Sequence, residues 1–543
     1  SFLLSIFIFI SRTEVRPEIF SFLILSFFLF VLFREKYAPR SDLKDIQGRT
    51  LERKGRTLLW FLPLAQLFWV NLHIYFFIGP FLVLAFLIDR IITKRFNLES
   101  PKRSNLEILK VFLILLLTGA ATLLNPHGLT GAFLPFNILK EYGYSIVENQ
   151  TLSFLAQFFG FNLPIFVFKL SVGILIAAFL LTIKKTKQRI FEILISAFFI
   201  YAGFKMLRNL PLYALASFPI LSLILTDLIS SYPQKRLNLL PKLSAFFKWV
   251  MAAFLVFMIV WVAGGGYYKA TSSSKAFGFS VPNGLERATD FVKENKLAGA
   301  MFNNFDIGGY LIWKLYPEYK VFVDNRPEAY AVEFFTEIYK PMQEDQTKWE
   351  EFVKKYDLNF IFFGHTDTTP WGQAFLKSIV KDPDWKMVYL NEVAVILVKN
   401  IPANSAVISR WAITEDNATE RVAGEELVLS RFFYNISWRK TSLYFADQAV
   451  KNDPSSQQVH LLRGLIHAYY TDKENQKQAA ESFKKAIDLG LKESQYYTIL
   501  GIVYMNLGQL VEAQKQFEKA LEQDETNEQA KEFLEKYFTS TNY

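Results

Sequence analysis

The chain has 543 residues, 51% of them apolar, with 55 phenylalanines, no cysteine and a formal net charge of +9. Without cysteine it can build no disulfide, thiol nucleophile or cysteine-ligated zinc site. Its basic residues recur at intervals between apolar runs instead of gathering in one patch, which argues against a nucleic-acid-binding face.

Nine apolar stretches occupy the first half, near 1–11, 18–33, 57–71, 74–92, 106–124, 163–183, 190–207, 210–229 and 246–264. Most reach the length that crosses a hydrocarbon core of about 30 Å at about 1.5 Å per residue. The first opens at Ser1, without methionine and already inside an apolar run, which points to a fragment or processed product with further helices upstream. It lacks the basic start and small-residue cleavage pattern of a signal peptide. Eight Lys/Arg fall in Arg34–Arg56, five in Arg90–Arg103, four in Lys184–Arg189 and four in Lys235–Lys248. The alternate gaps and their edges hold only Arg12, Arg16, Lys140, Lys205 and Arg208. Basic loops stay in the cytoplasm. The pattern therefore predicts a multi-pass α-helical domain over 1–264 in the cytoplasmic membrane, with residues 265–543 outside the cytoplasm.

Polar residues gather at the expected outer ends of these spans. They are Glu14, Arg16 and Glu18 in one turn, Asn71 and His73 in the next, then Asn125 and His127, Glu148 and Asn149, and finally Lys205, Arg208 and Asn209. Ionisable groups at membrane depth are costly and tend to mark function. Each also has a plainer reading. Trp69 and His73 suit an interfacial belt, and Asn125-Pro-His-Gly128 suits a helix stop. Lys205 and Arg208 suit cations snorkelling to headgroups, and Glu148 a solvated loop charge.

Residues 265–400 alternate between helix and strand patterns. Helices are predicted over Leu285–Lys296, Gly308–Leu315, Glu333–Tyr339, Lys348–Tyr356 and Trp371–Ile379. Strands are predicted over Gly299–Asn303, Lys320–Val323 and Leu358–Phe363. A hairpin joins Trp385–Leu390 to Val393–Val398. This order predicts an α/β sandwich with a partly parallel sheet. Asp306 is placed to cap the helix that follows it. Asp324-Asn-Arg326 ends an expected strand, where ligand residues gather in such sheets, although the same residues favour turns. No glycine-rich phosphate loop or nucleophile elbow occurs, which weighs against nucleotide binding and serine hydrolysis.

Residues 401–440 read as a linker or helical connection and 441–543 as helical repeats. Ala479, Phe483 and Ala486 recur 34 residues later as Ala513, Phe517 and Ala520, preceded by Tyr497, Leu500, Gly501 and Tyr504. This spacing resembles the tetratricopeptide repeat. Gly464 precedes Ala479 by 15 residues and Gly501 precedes Ala513 by 12, so the middle unit has about three extra residues between its helices. Ala449 and Pro454 end an earlier, degenerate unit. Such repeats bind a peptide or protein, or dock on their own chain.

The combination of multi-pass topology, an outer polar cluster and an α/β domain after the last span resembles the GT-C superfamily of membrane glycosyltransferases. Arg16-Pro-Glu18, Trp69-Val-Asn-Leu-His73, Asn125-Pro-His-Gly128 and Arg208-Asn-Leu-Pro211 carry that resemblance. Phe305-Asp-Ile-Gly-Gly-Tyr310 with Asp324-Asn-Arg326 is loosely similar to a region of oligosaccharyltransferase catalytic subunits, but the tryptophans of that region are absent. The resemblance implies transfer of a sugar from a polyprenyl-phosphate donor to an extracytoplasmic acceptor. Glu14 and Glu148 would then be the catalytic carboxylates. Arg16, Lys205 and Arg208 would meet the phosphate, and Asn71, His73, Asn125 and His127 would hydrogen-bond the substrate. Asp306, Asp324 and Arg326 would bind substrate from the soluble domain. The family's main acidic residue usually lies in the first outer loop, which here would fall upstream of Ser1. A divalent metal could assist by neutralising the leaving phosphate, but the sequence offers no motif for one: no His-x-His occurs, and the only Asp-x-Asp is Asp382-Pro-Asp384, a turn. The alternative is a non-catalytic membrane scaffold that presents the repeats to cell-envelope proteins. A transporter would need broken helices and charges near mid-membrane, whereas Lys110 and Lys169 lie near span ends.

Overall fold

The computed structural model describes residues 2–9, 16–37, 58–96, 105–137, 143–144, 149–158, 162–230, 240–270, 278 and 283–538. The chain is mostly helical and divides into two units, Ser1–Ser273 and Ser274–Tyr543.

The first unit contains helices α1 (Phe2–Phe9), α2 (Glu18–Tyr37), α3 (Leu62–Leu72), α4 (Ile78–Arg95), α5 (Asn105–Ala121), α6 (Gly128–Asn137), α7 (Leu152–Phe158), α8 (Leu163–Leu181), α9 (Ile190–Lys205), α10 (Leu210–Ser230), α11 (Leu240–Ala263) and α12 (Gly266–Ala270). Among the described residues, three helical stretches are long and apolar enough to cross a membrane: Ile74–Arg95, Leu163–Leu181 and Leu207–Ile229. Leu58–Leu72 and Lys248–Ala263 are apolar but shorter. The expectation of nine spans thus outruns what length and composition support. α2 has 20 residues but includes Glu18, Arg34, Glu35 and Lys36, and α9 has only 16.

One buried ionic group ties three of these helices together. Lys36 Nζ, at the end of α2, donates to Asp89 Oδ1 of α4 and Glu192 Oε2 of α9, each at 2.7 Å. All three side chains are at most 4% exposed. The Tyr37 hydroxyl donates to the other oxygen of Glu192, and the Phe191 amide donates to Asp89 Oδ1. One ammonium thus bridges two buried carboxylates, an arrangement whose loss of the cation would be costly.

In the second unit, α13 (Asn283–Glu294) leads into β1 (Ala300–Asn303), α14 (Gly308–Leu315), α15 (Pro341–Glu344), α16 (Gln346–Lys355), β2 (Leu358–Gly364), α17 (Pro370–Ile379), β3 (Trp385–Leu390) and β4 (Ala394–Lys399). A π-helical turn spans Phe334–Tyr339. The sheet order is β1-β2-β4-β3, with β1 parallel to β2 and the other pairs antiparallel. Side chains alternate across it. Met301, Phe360 and Phe362 pack with Leu285, Ala288 and Val292 of α13 and Leu311 of α14. On the other face, Phe302 meets Trp349 of α16 and Phe375 of α17, with ring centroids 5.1 and 5.3 Å away. The result is a helix–sheet–helix sandwich.

Lys320–Val323 is not a strand. The side chain of Asn303 takes the place of a neighbouring strand there: its Oδ1 accepts from Phe322 N at 2.8 Å, and its Nδ2 donates to Val323 O at 2.7 Å. Val321 and Phe322 are half-buried and Val323 is buried, and one side-chain amide serves the backbone of Phe322 and Val323, which apolar content alone does not distinguish from a ladder.

Helices α18 (Ser405–Trp411), α19 (Ala418–Arg421) and α20 (Glu426–Asn435) fill the connecting stretch, and α20 packs as the first helix of the stack. Its partners are α21 (Arg439–Asn452), α22 (Gln457–Ala468), α23 (Lys473–Asp488), α24 (Ser494–Asn506), α25 (Leu510–Gln523) and α26 (Glu528–Tyr537). The recurring Ala479, Phe483, Ala486, Ala513, Phe517 and Ala520 are all fully buried. The extra residues of the middle unit form an added turn at the start of its second helix. α23 begins six residues before Ala479, whereas α25 begins three before Ala513. Asp472 caps that turn by accepting from Asn475 N at 3.0 Å.

Candidate functional site

Within the first unit, the end of α3 and the turn between α9 and α10 bring one polar chain together. The Trp69 indole donates to Ser21 Oγ at 2.8 Å, and Ser21 Oγ lies 3.0 Å from His73 Nδ1. Ser21 can donate to or accept from Nδ1, and the tautomer that takes the Ser21 proton at Nδ1 carries the His73 proton on Nε2. His73 ends α3 in extended backbone and turns its ring against Tyr75, with centroids 4.7 Å apart. The Tyr75 hydroxyl donates to Asn209 Oδ1 at 2.9 Å and accepts from Arg208 Nε at 3.0 Å. Arg208 also reaches Asn149 Oδ1 with Nη1 at 3.2 Å. Its second terminal nitrogen is not spent on any described residue. A guanidinium held by a tyrosine and an amide presents a fixed N–H edge suited to an anionic oxygen.

His73 and Arg208 therefore meet through Tyr75, while the other residues picked out in this half go elsewhere. Asn71 donates to Leu67 O and Leu124 O and so ties the end of α3 to the end of α5. Asn125 closes its own turn, donating to Thr122 O and Gly128 O and accepting from His127 N, each at 2.9 Å. That is a helix stop, and it leaves His127 exposed. Lys205 is exposed, with its ammonium 5.7 Å from the Tyr201 ring. Arg16 is exposed, and its carbonyl accepts from Ile19 N at the start of α2. Glu14 and Glu148 lie outside the described residues. Sequence reasoning missed Tyr75 and Ser21. The signal for Tyr75 was its position two residues after His73.

In the second unit, Asp306 does not cap the following helix. A single 3-10 turn, Phe305–Ile307, intervenes and makes Ile307 the capping residue, without a side-chain bond. Asp324 and Arg326 satisfy each other. Asp324 Oδ1 accepts from Arg326 N and Nε at 3.0 and 2.9 Å, and Oδ2 accepts from Nη2 at 2.6 Å. This fork holds the Asp324 carboxyl below its ordinary range. The close approach provided by Gly308 is to the chain itself, because a Cβ there would stand 2.1 Å from Val323 O. These residues build a turn and its packing.

Polar residues that the sequence reading passed over lie at the adjacent ends of β1 and β2. Asn304 Oδ1 accepts from Gly364 N at 2.8 Å, and its Nδ2 donates to Asp367 Oδ2 at 3.2 Å. His365 is buried, and its Nε2 donates to Asn391 O at 2.7 Å. Its ring packs on Phe432 of α20, with centroids 4.8 Å apart. Asn435 of the same helix donates to Gln373 of α17 at 2.9 Å. Ile413 N donates to Met387 O of β3 at 2.8 Å. The first helix of the stack thus meets the end of β2 through a ring contact and α17 through a hydrogen bond. Among the described residues, no group of three or more His, Asp or Glu is arranged to hold a metal ion.

Residues 494–527, the α24–α25 pair, match the tetratricopeptide repeat family. The chain is similar in structure to the first tetratricopeptide-repeat domain of Spaghetti (RPAP3) bound to the HSP90 peptide SRMEEVD. That similarity has 20% identity, covers 21% of this chain and 89% of that one, and has a TM-score of 0.19. It is also similar to a thermophilic tetratricopeptide-repeat protein of Thermus thermophilus, with 17% identity, 34% and 84% coverage, and a TM-score of 0.19. No curated protein matches the chain. Residues 494–527 are a tetratricopeptide repeat, a class associated with protein–protein interaction.

Proposed function

We propose that the chain is a membrane-anchored scaffold that presents its repeat stack, outside the cytoplasm, to a protein of the cell envelope. The observation that carries this reading is the repeat pair at 494–527 within a stack whose first helix meets the end of β2 and α17. The apolar stretches Ile74–Arg95, Leu163–Leu181 and Leu207–Ile229 supply the anchor. Exposed apolar side chains on the same unit, among them Leu23, Leu116 and Leu180, suit lipid contact. A photo-crosslinker placed in the full-length chain at exposed Tyr469 or Val511 tests the reading. In intact cells it should give one discrete protein adduct that a Gly501→Arg change in the stack abolishes. No adduct from any exposed position of the stack would count against a scaffold.

A second reading, lipid-linked-sugar transfer of GT-C type, draws support from the His73–Tyr75–Arg208 chain. In that reading Arg208 holds the donor phosphate and His73 donates from Nε2. Membranes carrying the chain should consume a labelled polyprenyl-phosphate sugar, and Arg208→Gln should stop it. If wild-type membranes leave the donor intact across a panel of sugars, the transferase reading is rejected.

A further inference from the structure

Where α4 and α5 run side by side they leave a groove of about 540 Å³, lined by Leu87, Ile91, Leu106, Leu109 and Phe112 with Asn105 at its end. That volume lies within the roughly 300–1,000 Å³ of pockets that hold small ligands. The lining is almost wholly apolar, and the charge is all at one end. Lys94, in the last turn of α4, donates to Asn105 Oδ1 and is thereby held at the mouth of the groove. Arg95 follows in the same turn. Lys187 lies with its ammonium 4.9 Å from the ring of Phe96, the residue that ends α4. Among the described residues, the lining of this groove includes no carboxylate.

We propose that this groove binds one acyl chain of an anionic phospholipid, with the phosphate against Lys94 and Arg95 and Lys187 beside it. The proposal rests on the membrane reading of the first unit. An apolar trough with cations at one end complements an amphiphile with an anionic head. A free anion would make no use of the trough, and a zwitterionic lipid would gain less from three cations. By the charge pattern of the loops, this end of α4 faces the cytoplasm, where anionic headgroups meet basic residues.

The test uses the full-length chain in detergent, stripped of lipid and offered phosphatidylglycerol or phosphatidylcholine, with retained lipid counted by native mass spectrometry. Phosphatidylglycerol should be retained preferentially, one per chain. Lys94→Gln and Lys187→Gln should each lower that preference about fivefold, Lys94→Arg should keep it, and Leu109→Trp should lower retention of both lipids. Equal retention of the two lipids overturns the proposal, as does a preference unmoved by the two glutamine variants. A dimer formed in place of the lipid adduct overturns it too and assigns the face to a second copy. Alkaline carbonate extraction of membranes separates this result from the parent reading. A chain released by carbonate defeats both, whereas one that stays in the pellet without lipid preference defeats only the lipid site.

Discussion

His365 links burial to pH. Loss of water holds its pKa at about 4, below the ordinary 6.5, so the folded protein keeps the ring neutral. Between those values the unfolded chain takes a proton that the native chain does not. Stability therefore falls as pH drops through that window and levels off below it, by about 3 kcal/mol in all. Burial shifts His467 in the same direction. Denaturant midpoints measured from pH 7 to 4 should show this slope, and His365→Gln should flatten it. An unchanged slope in the variant would assign the effect to another group. At this scale the sequence was only partly legible. The Asp324–Arg326 turn was readable, because Asp, Asn and Pro carry their geometry locally. Asp306 was misread as a cap because the helix begins at Gly308, as expected, which puts the capping position on Ile307. Asn303 gave no signal, since an asparagine standing in for a strand looks like any polar residue that ends one.

The repeat helices show why their pattern was visible. Close packing demands a small residue at fixed spacing, and that demand is written in the sequence. A Cβ on Gly501 would stand 2.5 Å from the Phe517 ring, but one on Gly464 would stand 3.2 Å from Phe483. Alanine gains about 1 kcal/mol of helix propensity over glycine. Gly464→Ala should therefore be near neutral, while Gly501→Ala should cost about 1–3 kcal/mol through overpacking. Thermal unfolding of the two variants checks this, and equal midpoints would contradict the packing argument. The ion-paired ends of α2, α4 and α9 were illegible for the opposite reason. Lys36, Asp89 and Glu192 are far apart in the chain, and only Lys36 falls in a loop whose charges signal topology. Lys36→Met strands two buried carboxylates and should cost about 3–5 kcal/mol. Adding Asp89→Asn and Glu192→Gln should recover most of that loss. If the triple variant is no more stable than the single one, the ammonium is not what these carboxylates need.

The whole molecule has two units, and their proposed placement makes a direct prediction. The chain should remain in the membrane through carbonate washing, and protease added from outside to spheroplasts should remove an epitope at the C-terminus. An epitope protected until the membrane is broken would reverse the assigned orientation. The repeat was the most legible feature, because a 34-residue recurrence has a period of its own. The number of spans was less so, because the charges that punctuate α2 and the shortness of α9 leave fewer helices that cross unaided.

The seam at His365, Phe432, Gln373 and Asn435 has a further effect on a bound partner. A stack on a loose tether would let its cargo swivel, and only affinity would matter. With the first repeat helix in contact with the end of β2 and with α17, a partner held by the stack as proposed would keep one azimuth relative to the sheet. Substitutions along the seam would leave binding strength intact and let the cargo's heading drift.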